Sequence, residues 1–308
     1  MPRNNQTEIT EILLLGFQNL QNLRILLFIS ILIIYIISLA GNIVIITLIS
    51  TLRRLHTPMY TFLGLLSSSE IISTTNIVPN MLVVIAADGS VMPFTACLSQ
   101  FYIFSALTNT ECFLLTMMSY DRYLAICHPL RYNSIMNSKL CLQLIIWSWV
   151  LGFTITLIIL VNLLSTGNFC GPNTINHFFC DLAPILKLSC SDMSLIEIQA
   201  LLFSVPVIII PFIFIVGSYI FIAFTIMKIT STTGRKKTFS TCSSHLATVC
   251  TYYGTLISVY LVPSTENSPN VKVVSFLYVI VTPLLNPIVY SLRNQDIRSA
   301  ITKSILKS

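Results

Sequence analysis

Seven long apolar stretches constrain the fold of this chain more than any other feature of its sequence. The hydrocarbon core of a bilayer is about 30 Å thick, so a helix needs about 20 apolar residues to cross it. Each stretch is long enough, once the short polar interruptions that a bundle tolerates are allowed. They cover residues 25–50, 58–84, 97–123, 141–163, 198–228, 239–262 and 271–292. The pattern predicts an all-α membrane protein in which seven transmembrane helices form one bundle.

The charged residues are few, and their placement predicts an orientation. They make up 9% of the 308 residues, against about 25% in soluble domains. Lys and Arg gather on the cytoplasmic side of membrane spans. With the N-terminus outside, thirteen basic residues fall inside and only four, Arg3, Arg24, Lys187 and Lys272, fall outside. We therefore expect an extracellular N-terminus (1–24), a seven-helix domain (25–292) and a cytoplasmic tail (293–308).

Two local features agree with an external N-terminus. Asn5-Gln6-Thr7 is an acceptor sequence for N-glycosylation, which takes place in the lumen, although such a tripeptide also occurs by chance. The segment from Cys170 to Cys190 is rich in cysteine, as expected in an oxidising compartment. Both features place the same side of the bundle outside.

Composition also excludes two classes of function. The net charge of +6 does not indicate nucleic-acid binding, because the basic residues are neither clustered in one domain nor interleaved with aromatic residues. The nine cysteines form no CxxC pair, and the four histidines lack metal-ligand spacing. A zinc enzyme is therefore not expected.

The tail carries Ile297, Ile301 and Ile305 at helical spacing, with basic residues between them. This pattern predicts a short amphipathic helix that lies on membrane lipid at the inner surface. A frayed tail is the alternative interpretation.

The third apolar stretch ends on Asp121-Arg122-Tyr123. An arginine beside a carboxylate at this depth can be held in one arrangement and released in another, which would make the triplet a switch. Arg and Tyr are also common anchors at membrane interfaces. The triplet alone does not decide between these interpretations.

The residues around the triplet resemble a known family. "MSYDRYLAICHPLRY", residues 118–132, is similar to the signature of olfactory receptors, which are rhodopsin-like G-protein-coupled receptors. "LHTPMY" (55–60), "KTFSTCSSHL" (237–246) and "PLLNPIVY" (283–290) match the same family in the right order and at the right helix ends. The resemblance covers nearly the whole chain.

The resemblance implies an odorant receptor of the plasma membrane rather than an enzyme. Such a receptor binds a small volatile molecule near the outer face and activates a heterotrimeric stimulatory G protein inside, which raises cyclic AMP. On this interpretation Arg122 is the switch residue in the Asp121-Arg122-Tyr123 triplet, with Asp121 as its partner. Tyr219 and Tyr290 match tyrosines that stabilise the active inner cavity in the wider receptor class.

The external cysteines have a pairing that the sequence alone leaves open. Cys97, Cys170, Cys180 and Cys190 allow three pairings. The resemblance implies that Cys97 is joined to Cys180 and that Cys170 is joined to Cys190.

Glu70 and Glu111 lie within the second and third stretches. An acid inside a membrane is costly to ionise and is a functional candidate for that reason. With Asn286 these residues resemble the family's mid-membrane site, which implies either a sodium ion or a proton on one acid. The family more often has Asp where this chain has Glu70. Neutral carboxyls that serve packing alone are the alternative, and no other metal or cofactor is expected.

The resemblance places the ligand pocket between the outer halves of the third, fifth, sixth and seventh spans. The offsets of three, four and one on the third span put its candidates on one broad helical face. The candidates are Phe101, Phe104, Ser105, Thr108, Asn109, Phe203, Ser204, Val207, Leu256, Tyr260 and Val279. This wall offers no carboxylate for an amine, so a small, neutral, largely apolar ligand is expected. Helix packing is the alternative role of each residue.

Two other classes of protein compete with a receptor. Paired intramembrane acids also occur in ion-coupled transporters, but the chain shows no inverted repeat and no matching pair of broken helices. An intramembrane enzyme would need a motif such as HExxH or GxSxG, and the spans contain neither.

Overall fold

A computed structural model describes residues 9–17, 23–228, 230–260, 269–293 and 297–299 of the chain. The described residues contain seven long helices, as the apolar stretches predict. They are α1 (Arg24–Thr51), α2 (Pro58–Ala87), α3 (Phe94–Cys127), α4 (Ser138–Thr166), α5 (Ser194–Met227), α6 (Thr232–Tyr260) and α7 (269–293). Helix α7 contains a π-helical segment, Leu277–Val281, between the α-helical segments Pro269–Phe276 and Thr282–Arg293. The prediction of a seven-helix bundle is therefore confirmed.

The helices differ in how much of their surface faces the bundle. Among the described residues, α1, α2, α4, α5 and the Lys272–Tyr290 part of α7 are long and apolar enough to cross a membrane. Helix α3 is more polar because it packs against α2, α4 and α5 at the centre of the bundle. Of its 34 residues 17 are buried, against 5 of 28 in α1. A central helix needs little lipid-facing apolar surface, which explains why its composition is less hydrophobic.

A small sheet, which the sequence analysis did not predict, covers one end of the bundle. Strand β1 (Glu11–Leu14) is its middle strand, between β2 (Ser90–Pro93), which is antiparallel, and β3 (Thr174–Ile175), which is parallel. The side chains of Ile12 and Leu14 are fully buried beneath it. We call this end the sheet face, and the opposite end, where α3 carries Arg122, the Arg122 face.

Two disulfides hold the segment between α4 and α5 in place on the sheet face. Cys97 at the start of α3 is joined to Cys180, with 5.4 Å between their Cα atoms. Cys170 is joined to Cys190 across 5.7 Å within the segment itself. These are the two pairings that the resemblance implies.

Two expectations fall largely outside the described residues. Asn5, the glycosylation candidate, is not among them, and neither are residues 294–296 and 300–308 of the tail. Ile297, Arg298 and Ser299 are helical, and the side chain of Ile297 is buried.

Helices α3 and α4 approach each other closely at Gly152. A Cβ atom at this position would overlap Oγ1 of Thr110 and would lie 2.9 Å from the carbonyl oxygen of Ala106. Glycine is therefore required by the contact between the two helices rather than by its own backbone angles.

We predict that Gly152→Ala destabilises the bundle by about 1–3 kcal/mol, because the added methyl group overpacks a buried contact. The measurement is the thermal unfolding of the purified protein, with surface expression in cells as a second readout. Gly217→Ala on α5 is the matched control, since a Cβ there meets nothing within 4 Å. Equal unfolding temperatures for the two variants would show that the contact does not limit stability.

Candidate functional site

A large cavity lies inside the bundle near the sheet face, among helices α3 to α7 and beside the segment that joins α4 to α5. Its volume is about 620 Å³, which is within the usual range for small-molecule sites. Isoleucine, leucine, valine and phenylalanine side chains make up much of its wall. Among its lining residues are Phe101, Ser105, Thr108, Asn109, Ile155, Thr156, Ile159, His177, Asp181, Lys187, Glu197, Ser204, Ile208, Leu256 and Val259.

The structure brings together six of the predicted pocket residues in this cavity: Phe101, Ser105, Thr108, Asn109, Ser204 and Leu256. Phe104 and Val279 instead line a second, smaller cavity deeper in the bundle. Phe203 packs in the apolar cluster beneath the sheet, and Val207 lies in the main core. The side chain of Tyr260 is outside the described residues.

Hydrogen bonds fix several polar side chains on the wall. Nδ2 of Asn109 donates to Oγ1 of Thr156 on α4 over 3.1 Å. The hydroxyl of Thr108 bonds the hydroxyl of Tyr278 on α7 over 2.8 Å. Tyr252 on α6 donates to the carbonyl oxygen of Thr108, also over 2.8 Å. The wall is therefore braced from three neighbouring helices.

The expectation that the wall lacks a carboxylate is wrong. Asp181 and Glu197 both line the cavity, and Lys187 lies on the same wall. The helix-face argument missed them because Asp181 and Lys187 belong to the segment before α5 and Glu197 to the first turn of α5. Oδ1 of Asp181 accepts a hydrogen bond from the backbone N–H of Leu182, where it caps a short helix.

His177 follows β3 and lines the cavity. Its ring packs against Phe178 and Phe179, with centroids 4.5 and 4.7 Å away. Burial, together with the positive charge of Lys272, lowers the pKa of His177 to about 3, so the ring is neutral at pH 7. Nζ of Lys272 donates to the carbonyl oxygen of Gly16, after β1, and to Oδ1 of Asn176, after β3, which links α7 to the ends of both strands.

The smaller cavity contains the predicted acid pair. Its volume is about 10 Å³, and Glu70, Glu111, Phe104, Tyr252 and Tyr278 are among its lining residues. A cavity of that size holds about one water-sized particle. Both carboxyl groups are buried.

The oxygen atoms in and beside the smaller cavity are suited to coordinate a hard cation or to share a proton. Nδ2 of Asn286 donates to Oε1 of Glu70. Oε2 of Glu70, Oε1 of Glu111 and Oδ1 of Asn286 are buried and have no hydrogen-bond partner among the described residues. Oxygen ligands suit a hard cation, and a protonated carboxyl would supply the missing donor instead.

At the Arg122 face, both oxygens of Asp121 are occupied. Oδ2 accepts a hydrogen bond from Nη2 of Arg122 over 2.9 Å, and Oδ1 accepts one from the hydroxyl of Tyr132 over 2.7 Å. Burial and the hydrogen bond to Asp121 raise the pKa of Tyr132, so the hydroxyl stays protonated as the donor. Tyr132 was missed as a site residue, although it ends the 118–132 stretch on which the resemblance rests.

The other predicted switch tyrosines have separate partners. The hydroxyl of Tyr123 bonds Nε2 of His128 over 3.1 Å. The hydroxyl of Tyr219 on α5 lies 2.7 Å from Nδ1 of His245 on α6, and Tyr290 is fully buried in α7. The structure therefore gathers Asp121, Arg122 and Tyr132 into one cluster, while Tyr219 links α5 to α6.

Comparison with known proteins agrees with this architecture. A family model described as "Olfactory receptor" matches residues 31–308. Olfactory receptor 11L1 of Homo sapiens is 48% identical over 98% of this chain and 94% of its own length. Olfactory receptor 5P52 of Mus musculus is 43% identical over 100% and 99%.

A solved structure shares the fold. The crystal structure of squid rhodopsin superposes with a TM-score of 0.71 at 18% identity, covering 89% of this chain and 78% of that chain. Because the family model covers nearly the whole chain and the relatives are similar along their full length, the chain belongs to the olfactory receptor family.

Proposed function

We propose that this member of the family binds a small, neutral, largely apolar odorant in the 620 Å³ cavity and activates a stimulatory G protein that raises cyclic AMP. The observation that carries the proposal is the cavity itself, which is ligand-sized, mostly apolar and lined on one side by the segment between α4 and α5. In this proposal the sheet face is extracellular, the Arg122 face is cytoplasmic, and the receptor resides in the plasma membrane.

A neutral ligand is consistent with the charges on the wall. Asp181 and Glu197 share the wall with Lys187, and His177 is neutral. The wall therefore carries charges of both signs rather than an electrostatic potential of one sign. Burial of apolar surface contributes about 25 cal/mol per Å². The apolar wall is therefore the main source of affinity, and the hydroxyl and amide groups select among ligands of similar size.

Thr108 connects the ligand cavity to the smaller cavity. It lines the first, and its hydroxyl bonds Tyr278, which lines the second beside Glu111. A ligand that displaces Thr108 changes the surroundings of the acid pair, which supports coupling between the two cavities. We propose that the acid pair holds a sodium ion or a shared proton in the resting receptor.

The Asp121 cluster provides the switch at the other end. In the structure Asp121 restrains Arg122 and Tyr132 together. Release of Arg122 from Asp121 would free a cation to contact the G protein, because a paired arginine cannot bind a second partner as strongly. In the proposed resting state Arg122 stays paired with Asp121.

Arg122→Ala should abolish odorant-evoked cyclic AMP while the receptor still reaches the cell surface. Cells expressing the variant are exposed to a panel of aliphatic alcohols, ketones, ethers and esters, and cyclic AMP is measured with surface expression. Arg53→Ala, which removes an exposed arginine near the same face, should signal normally. A normal response from Arg122→Ala would remove Arg122 from the switch.

Ser204→Trp should abolish or strongly reduce responses to the same panel, because the indole ring occupies space in the cavity that Ser204 lines. Ile210→Trp adds an indole on the same helix at a side chain that is 65% exposed on the bundle surface, and it should respond like the parent receptor. Dose–response curves at matched surface expression provide the measurement. Equal potency for both variants would place the ligand elsewhere.

Glu111→Gln should change the dependence of basal cyclic AMP on sodium concentration or pH, because one ionisable oxygen leaves the shared site. Glu11→Gln, which alters an exposed carboxylate on β1, should leave that dependence unchanged. If Glu111→Gln reaches the surface and retains the parent response to both sodium and pH, the acid pair serves packing alone.

A further inference from the structure

Asn109 and Thr156 form a polar pair where α3 meets α4 on the wall of the large cavity. Both residues line the cavity, and Thr156 is almost fully buried. Nδ2 of Asn109 donates to Oγ1 of Thr156 over 3.1 Å, and Oγ1 of Thr156 donates to the carbonyl oxygen of Gly152, also over 3.1 Å. The pair is therefore the middle of a chain of hydrogen bonds that ends on the backbone.

The backbone end of this chain determines which way the Asn109 amide faces. The Gly152 carbonyl can only accept a hydrogen bond, so the single proton of the Thr156 hydroxyl is committed to it. The remaining capacity of the hydroxyl oxygen is to accept. Only the NH₂ end of the Asn109 amide can supply that bond, because the reversed amide would set two acceptor oxygens against each other.

Oδ1 of Asn109 is consequently the atom of the amide left for a ligand. Within the described part of the chain, the Asn109 side chain makes its hydrogen bond through Nδ2, and Oδ1 has no donor. The second amide hydrogen can also meet a ligand oxygen, but it would serve an ether, a ketone or an alcohol equally well. Discrimination between these ligands therefore depends on Oδ1, which accepts and cannot donate.

We propose that the cavity selects ligands carrying a hydroxyl group, whose proton is accepted by Oδ1 of Asn109, and that Thr156 is the residue that positions this oxygen. The inference rests on the proposed odorant-receptor function and deepens it. A ligand that only accepts leaves Oδ1 buried without a donor, which a site built for a hydroxyl penalises.

A neutral hydroxyl fits this position better than an ammonium group. Ile155 and Ile159 flank Thr156 on the same wall, and an unpaired cation among such side chains loses its hydration without full compensation. The carboxylates of Asp181 and Glu197 belong to other parts of the wall, in the segment before α5 and at the start of α5. The ligand class indicated is thus an aliphatic or aromatic alcohol.

The test compares three straight-chain ligands with the same number of non-hydrogen atoms: a primary alcohol, a methyl alkyl ether and a methyl alkyl ketone. Potency is measured by cyclic AMP at matched surface expression, and binding by thermal stabilisation of purified receptor. In the parent receptor the alcohol should be about tenfold more potent than the ether, the size of effect expected for one buried hydrogen bond.

Three variants separate the role of Thr156 from a packing role. Thr156→Val removes the acceptor for Nδ2 but keeps the shape, so the amide is free to turn and the ratio of alcohol to ether potency should fall towards one. Thr156→Ser keeps the hydroxyl and should keep the ratio. Thr110→Val makes the same chemical change on a buried α3 threonine that bonds the Ala106 carbonyl, and it should also keep the ratio.

The outcomes distinguish this inference from the proposed function. Equal potency of alcohol and ether in the parent receptor, or an undiminished ratio in Thr156→Val, overturns the inference and leaves the receptor function standing. If Thr156→Val does not reach the surface, Asn109→Leu removes Oδ1 itself, and the ratio of alcohol to ether potency must then fall to about one. Failure of every odorant to act on surface-expressed parent receptor overturns the proposed function.

Discussion

The hydrocarbon of a bilayer offers no hydrogen-bond partner, and the rest of the structure follows from that constraint. Backbone groups must be satisfied within helices, and polar side chains must find each other inside the bundle. Helix α3 takes part in most of these polar contacts, because it lies at the centre of the bundle. Along α3 and its neighbours, the resulting pairs are Asn109 with Thr156, Thr108 with Tyr278, and Asp121 with Arg122 and Tyr132. The same bonds that stabilise α3 within the bundle thus build the cavity wall and the cluster of Asp121, Arg122 and Tyr132.

The fold was predictable because one physical quantity, the length of an apolar run, nearly determines a membrane-spanning helix. The sheet was not, because its strands have only four, four and two residues. Runs so short carry no usable alternation of polar and apolar residues. Their pairing joins segments that lie far apart in the sequence, which is a tertiary constraint.

The candidate site was predictable where a helix face decides the neighbours and unpredictable elsewhere. Ser105 and Asn109 are one turn apart on α3 and share the cavity as expected. Phe104 precedes Ser105 by one residue, yet that rotation directs its ring towards Phe179 and Tyr278, with centroids 5.3 and 5.7 Å away. Asp181 lies in an irregular segment, and no periodic sequence pattern predicts the path of such a segment. Family motifs pointed to Arg122 as a candidate, but they did not indicate that the hydroxyl of Tyr132 also donates to Asp121.

The order of the strands has a consequence for biosynthesis. The middle strand, β1, is made first, but β2 is complete only after α2 and β3 only after α4. The side chains of Ile12 and Leu14 therefore lack the neighbours that bury them in the folded protein until four of the seven helices have been made. An apolar strand with unpaired edges is prone to non-native pairing. Maturation of this receptor is most exposed to misassembly in the interval between synthesis of β1 and synthesis of the segment after α4, before the large cavity can form.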